Sequence, residues 1–115
     1  IYDIVLNAQI NSINGIKAGA SCKSIDSIAR DHITQAGYGK FFDHGLGHSL
    51  GLEIHEEPRF SKVSNDILEE NYVMTVEPGV YVQDIGGVRI EDDIIVTKDG
   101  SEILNKTSKE FQVIS

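Results

Sequence analysis

The sequence predicts an α+β fold in which two helices pack on an antiparallel β-sheet. Three observations carry that expectation. Over the first 36 residues, apolar side chains recur at intervals of three and four, the period of a helix. From Val73 onward they alternate in twos, the period of a strand. A glycine-rich stretch separates the regimes, so helices come first and strands follow.

The first helix is expected over residues 1 to about 14, with Ile1, Ile4, Val5, Ala8 and Ile13 on one stripe. Asn14-Gly15 and Gly19 break it. Ser21 is a suitable N-cap for a second helix, because its hydroxyl can accept from an amide left free in the first turn. That helix is expected to bury Ile25, Ile28, Ala29, Ile33 and Ala36 and to stop at Gly37. Gly45, Gly47 and Gly51 make a loop whose backbone can approach other groups closely. Leu52 to His55 reads as a short strand. Val73 to Val82 reads as a strand interrupted by Pro78-Gly79, and Val88, Ile90, Ile94 and Val96 as the apolar face of another. Lys98-Asp99-Gly100 is a turn, and Glu102 to Leu104 a short returning strand.

With 115 residues the chain fits one modest domain and needs no staples to hold a core. Hydrophobic residues make up 40% and charged residues 24%, ordinary for a globular protein. The formal net charge of −8 repels nucleic acid and anionic membrane surfaces, and excludes both as expected partners. No apolar run is long enough to span a bilayer. The single cysteine, Cys22, excludes a Cys-rich zinc site and fits a reducing compartment, so a cytoplasmic protein is expected.

Three of the four histidines, His44, His48 and His55, fall within the stretch HGLGHSLGLEIHEEP. Alone, each would read as a cap or a polar loop residue; together they suggest chemistry. The glycines argue against a helix there, so a loop-borne set is expected. Glu77 ends an apolar strand, where a carboxylate is costly to bury without a partner. In GVRIEDD, Arg89, Glu91 and Asp93 share one strand face, where the guanidinium can hold carboxylates in the charged form. Taken singly, these read as a solvated polar face. Imidazole with carboxylates and no thiolate suits Mn, Co, Fe or Zn. Carboxylates can bridge two such ions about 3.5–4 Å apart and activate a shared water, which points to metal-assisted hydrolysis.

The pieces HGLGHSLGLEIHEEP, TVEPGVYV and GGVRIEDDIIVTKDGSEIL resemble, in order and spacing, the pita-bread metallopeptidases, the family of methionine aminopeptidase, aminopeptidase P, prolidase and creatinase. The resemblance runs over essentially the whole chain. It implies that His48 is a metal-binding histidine, Glu77 a terminal metal ligand and Glu91 the carboxylate that bridges two ions. It implies catalytic roles for His55, at the substrate carbonyl, and His44, lining the pocket for the residue after the cut bond. Arg89 and Tyr81 correspond to supporting or substrate-pocket positions. The form VRIEDD resembles the proline-specific branch, which implies a peptide substrate with proline in second position, manganese as the expected metal, and a homo-oligomer.

One departure matters. The family completes its dinuclear site with two aspartates on strands farther upstream than this chain reaches. Of the acids available, Asp3, Asp26 and Asp31 fall on the expected helices and Asp43 abuts the histidine loop. The chain also opens on IYDIVLNAQI, already apolar and periodic, without a methionine. It is therefore expected to be the C-terminal half of a pita-bread catalytic domain. Such a piece would hold at most one ion weakly and be inactive by itself. Two other readings stay open: a non-enzymatic pita-bread module that binds peptides or partners, and a creatinase-like hydrolase of a small C–N substrate.

Overall fold

The computed structural model describes residues 1–50 and 58–104, and the backbone of 113–114. Helix α1 spans Tyr2–Gly15 and α2 spans Cys22–Gln35. Ser21 caps α2 as expected, its side chain accepting from the Ser24 amide at 3.3 Å. At the other end, the Gly37 amide donates to Thr34 O and the Tyr38 amide to Ile33 O, both at 3.0 Å. That crossed pair is a Schellman cap, which needs a residue in the left-handed region at its turn. Gly37, at φ +93°, supplies it.

The buried face of α2 is Cys22, Ile25, Asp26, Ala29 and Ile33. Ile28 is only half-buried, and Ala36, expected inside, is exposed as the cap residue. The buried face of α1 is Val5, Ala8, Gln9 and Ser12. Of the expected stripe, Ile4 and Ile13 are half-buried and Ile1 is exposed. The helix is rotated so that two polar residues face inward, which periodicity alone does not show.

The strands are β1 (Gly47–His48), β2 (Arg59–Phe60), β3 (Val73–Val76), β4 (Gly79–Val82), β5 (Gly86–Arg89), β6 (Asp92–Val96), β7 (Ser101–Ile103) and β8 (Val113–Ile114). All pairings are antiparallel. β1 and β2 form a ribbon, and two three-stranded sheets run in the orders β3-β6-β7 and β4-β5-β8. The Lys98–Gly100 turn returns the chain into β7 as expected.

The run from Val88 to Val96, read as one strand, is two strands in different sheets, divided at Ile90-Glu91. Its alternation survives the break: residues 88, 90, 92, 94 and 96 are buried. The break at Pro78 lies opposite. Val76 pairs with Asp92 and Gly79 with Arg89, so Glu77-Pro78 faces Ile90-Glu91 between the two ladders. The Ile90 amide donates to Pro78 O across this gap at 3.2 Å. Both glutamates of interest therefore sit where two facing strands change sheets together. The expected strand at Leu52–His55 lies outside the described residues.

Val5, Ala8, Ile25, Ala29, Ile33, Leu46, Phe60, Met74, Val76, Val80, Ile94 and Val96 form one core between helices and strands. Cys22 lies in it, and burial, with the charge of Asp66, pushes its thiol up to about 11. An inert neutral thiol is what such an environment produces.

Candidate metal centre

The histidine loop is held by helix α2. Asp26, fully buried, accepts from Arg30 Nε at 2.9 Å and from Arg30 Nη2 at 3.3 Å. The pair then spreads into the loop. Arg30 Nη1 donates to Phe42 O and Nη2 to His44 O, both at 2.9 Å, and the Leu46 amide donates to Asp26 Oδ1 at 3.0 Å. The guanidinium also stacks 4.3 Å from the Phe42 ring. A buried charge pair is stable only when its remaining donors and acceptors are satisfied, and here the backbone of residues 42–46 does this. A glycine-rich loop thus acquires a fixed course.

Beyond Leu46 the loop becomes β1 and presses on β3. A Cβ on Gly47 would lie 1.9 Å from Thr75 O, so only glycine fits. The His48 amide donates to Thr75 Oγ1 at 3.0 Å, and the Glu77 amide to Leu46 O at 2.7 Å. Thr75 and, just beyond the strand, Glu77 thus both meet the histidine loop.

His48 Nδ1 lies 3.0 Å from Ser49 O. A carbonyl only accepts, so Nδ1 carries a proton, and in the neutral ring Nε2 then carries the lone pair. That atom stands 3.8 Å from Glu77 Oε2, beyond hydrogen-bond reach. With the imidazole neutral, Nε2 and Glu77 Oε2 are two electron-pair donors facing each other, an arrangement that suits a cation. Glu91 belongs to the same electrostatic group. Loss of solvation raises its pKa most, then the charges of Glu77 and Asp93, while Arg89 and His48 lower it. Arg89 favours the charged form of Glu91 as expected, but desolvation and like charges outweigh it in the net direction of the shift. Among the described residues, no three His, Cys, Asp or Glu side chains converge closely enough to enclose an ion. His48, Glu77 and Glu91 suit a hard or borderline divalent ion in chemistry.

His44 takes the same tautomer, with Nδ1 2.7 Å from Gly45 O. Its ring packs edge-on to Phe42 with centroids 5.0 Å apart, and lies 5.7 Å from the Tyr81 ring. Nε2 is buried and has no hydrogen-bond partner among the described residues. His44 and His48 line a cleft of about 430 Å³ with Glu77, Arg59, Arg89 and Phe60. Tyr81 reaches this cleft only through His44. A larger hollow of about 720 Å³ runs along the β4–β5 hairpin and shares no residue with it. His55 lies outside the described residues. Sequence reasoning missed Arg59, Asp26, Arg30 and Thr75. The four-residue spacing of Asp26 and Arg30 is a readable ion-pair signal on a helix; nothing local marks the other two.

The two helices on antiparallel sheets, with imidazole and carboxylate side chains lining one cleft, point to the metallopeptidase class. The comparison with known proteins makes this specific: residues 1–98 match the profile of Metallopeptidase family M24, and the chain belongs to that family. It is 52% identical to the Xaa-Pro dipeptidase of Pyrococcus horikoshii over 111 residues, covering 96% of this chain and 32% of that protein. Among solved structures, it superposes on the Xaa-Pro dipeptidase from Bacillus anthracis with a TM-score of 0.91 at 54% identity, covering 96% of this chain and 31% of the other. The prolidase from Pyrococcus horikoshii gives a TM-score of 0.92 at 51% identity, covering 97% and 32%. The chain thus spans about a third of the length of these relatives, within the pita-bread architecture expected for it.

Proposed function

We propose that the protein containing these residues hydrolyses the bond between an N-terminal residue and a following proline, as an Xaa-Pro dipeptidase or aminopeptidase. The observation that carries this reading is the pairing of His48 Nε2 with Glu77 Oε2 beside Glu91, at the facing strand breaks. His48, Glu77 and Glu91 would hold divalent metal, Mn(II) first. Two further carboxylates would come from residues other than these 115. The bound metal would supply a hydroxide near neutral pH and polarise the scissile carbonyl.

The chain's own residues do the rest. Nδ1 tethers keep His48 and His44 in fixed tautomers. His44, braced by Phe42 and Tyr81, walls the pocket for the residue after the scissile bond. Arg59 and Arg89 put positive charge along the cleft, which suits the free carboxylate of a short peptide. His55 would meet the substrate carbonyl. Hydrolysis would add the oxygen of one water to the carbonyl carbon and break the C–N bond, the water's two protons passing to the proline nitrogen and leaving a carboxylate on the other product.

The test is Xaa-Pro peptide hydrolysis with added Mn(II), comparing these 115 residues with the full-length protein. Activity is expected only in the longer chain, and His48→Ala there should abolish both turnover and Mn(II) uptake. Activity in the short chain would show that the donor set is complete within it. Silence in both would move the reading to a peptide-binding module or a creatinase-like C–N hydrolase.

A further inference from the structure

Helix α1 places one polar side chain at the strand breaks. Gln9 is fully buried, and its Nε2 donates to Val76 O at 3.3 Å and to Ile90 O at 3.4 Å. These carbonyls lie 67 and 81 residues away in sequence. Each belongs to the residue immediately before a glutamate: Val76 before Glu77, Ile90 before Glu91. Oε1 of the same amide is buried with no hydrogen-bond partner among the described residues. Leaving an acceptor unsatisfied costs free energy, so the amide is seated for its two donors. Ser12 Oγ, one turn on, donates to Gln9 O at 2.9 Å and helps fix the helix there.

The place matters because it lies between ladders. Val76 is the last residue of β3 and Ile90 lies between β5 and β6, so regular pairing is weakest where both glutamates must be held. The other ties at the gap are single backbone bonds, Ile90 N–H to Pro78 O and Glu77 N–H to Leu46 O. One amide group bonded to both carbonyls fixes the distance between the two strands.

We propose that Gln9 is a positioning residue for the metal centre: its carboxamide sets the separation of Glu77 and Glu91 by tying together the carbonyls that precede them. The proposal rests on the metal-binding reading above. Gln9 touches neither metal nor substrate; it acts through the backbone. Partners of this outer kind shift metal affinity by roughly ten- to a hundredfold when removed.

The experiment uses the full-length protein and the variant Gln9→Met, which keeps the length of the side chain and removes both donors. Mn(II) alone is titrated by the paramagnetic resonance signal of the free ion, and amide exchange is followed in the metal-free protein. Val5→Ala on the same helix serves as a comparison that loosens packing and leaves the amide intact. In Gln9→Met, Mn(II) affinity is expected to fall about tenfold. The Glu77 and Ile90 amides should lose protection while that of Asn71, bonded to Val96 O, does not. Val5→Ala should leave Mn(II) affinity unchanged. A thermal shift with unaltered Mn(II) affinity in Gln9→Met would overturn the proposal, and so would equal losses of affinity in both variants. If wild type itself takes up no Mn(II), the metal-binding reading fails, and the role of Gln9 fails with it only as regards metal; unchanged exchange at Glu77 and Ile90 would overturn the backbone tie separately. If Gln9→Met does not fold, Gln9→Asn, too short to reach both carbonyls, is titrated instead and read by the same outcomes.

Discussion

Glu91 is exposed, yet partial loss of solvation and the charges of Glu77 and Asp93 move its pKa above the ordinary glutamate value. Its folded-state pKa is raised, so the unfolded chain ionises first as pH rises past the ordinary glutamate value of 4.5. Across the window from there to the raised value, the folded state binds more protons than the unfolded state. The contribution of Glu91 to the stability of the metal-free chain therefore falls as pH rises through that window and levels off above it. Glu91→Gln should remove this fall, as read by melting temperature against pH. Mn(II) must displace the same proton, so uptake by the full-length protein should weaken on acidification at higher pH than an ordinary glutamate would give.

The helices and their ends were legible in the sequence because their signals are local. Ser21 and Gly37 act on amides and carbonyls within a turn of themselves. Two glycines separate local from distant causes. A side chain at Gly37 meets nothing within 4 Å, so Gly37→Ala should cost only the left-handed backbone penalty, about 1 kcal/mol. Gly47→Ala drives Cβ into Thr75 O and should cost about 3 kcal/mol or more, measured by denaturant unfolding. The strands were legible from alternation, but their division between two sheets was not, since the alternation of 88–96 runs unbroken through the switch. The same limit hid Gln9 and Asp26. Asp26 pairs with Arg30 four residues on, a readable spacing, but a polar residue on a helix reads as solvent-facing until its distant partners are known, and these lie 20 residues away for Asp26 and 67 and 81 for Gln9. His48, Glu77 and Glu91 stand out in the sequence because their motifs are dense; Glu77 and Glu91 lie at the facing breaks, and His48 Nε2 comes within 3.8 Å of Glu77.

At the scale of the molecule, the radius of gyration of 13.4 Å is that of a folded domain of this length, about 13 Å. Its surface is less finished. Val63 and Ile85 are 78% and 72% exposed, and Ile103 and Leu104 lie exposed at the edge strand β7. Edge strands with apolar side chains are templates for pairing with another chain. The 115-residue chain by itself is expected to self-associate, with light scattering showing a mass that rises with concentration; a constant monomer mass would refute this. None of the helices among the described residues is long and apolar enough to cross a membrane.

The Asp26–Arg30 clamp has a consequence for how such a sequence can drift. Changing either partner alone strands a charge beneath the histidine loop, at about 3–5 kcal/mol, a large part of the stability of a domain this size. Most single steps away from the pair are therefore lethal to the loop's geometry, while a simultaneous exchange for two apolar residues of matching volume could be close to neutral in energy. The two positions behave as one heritable character, and the route between alternatives passes through a valley that a random walk of single substitutions seldom crosses.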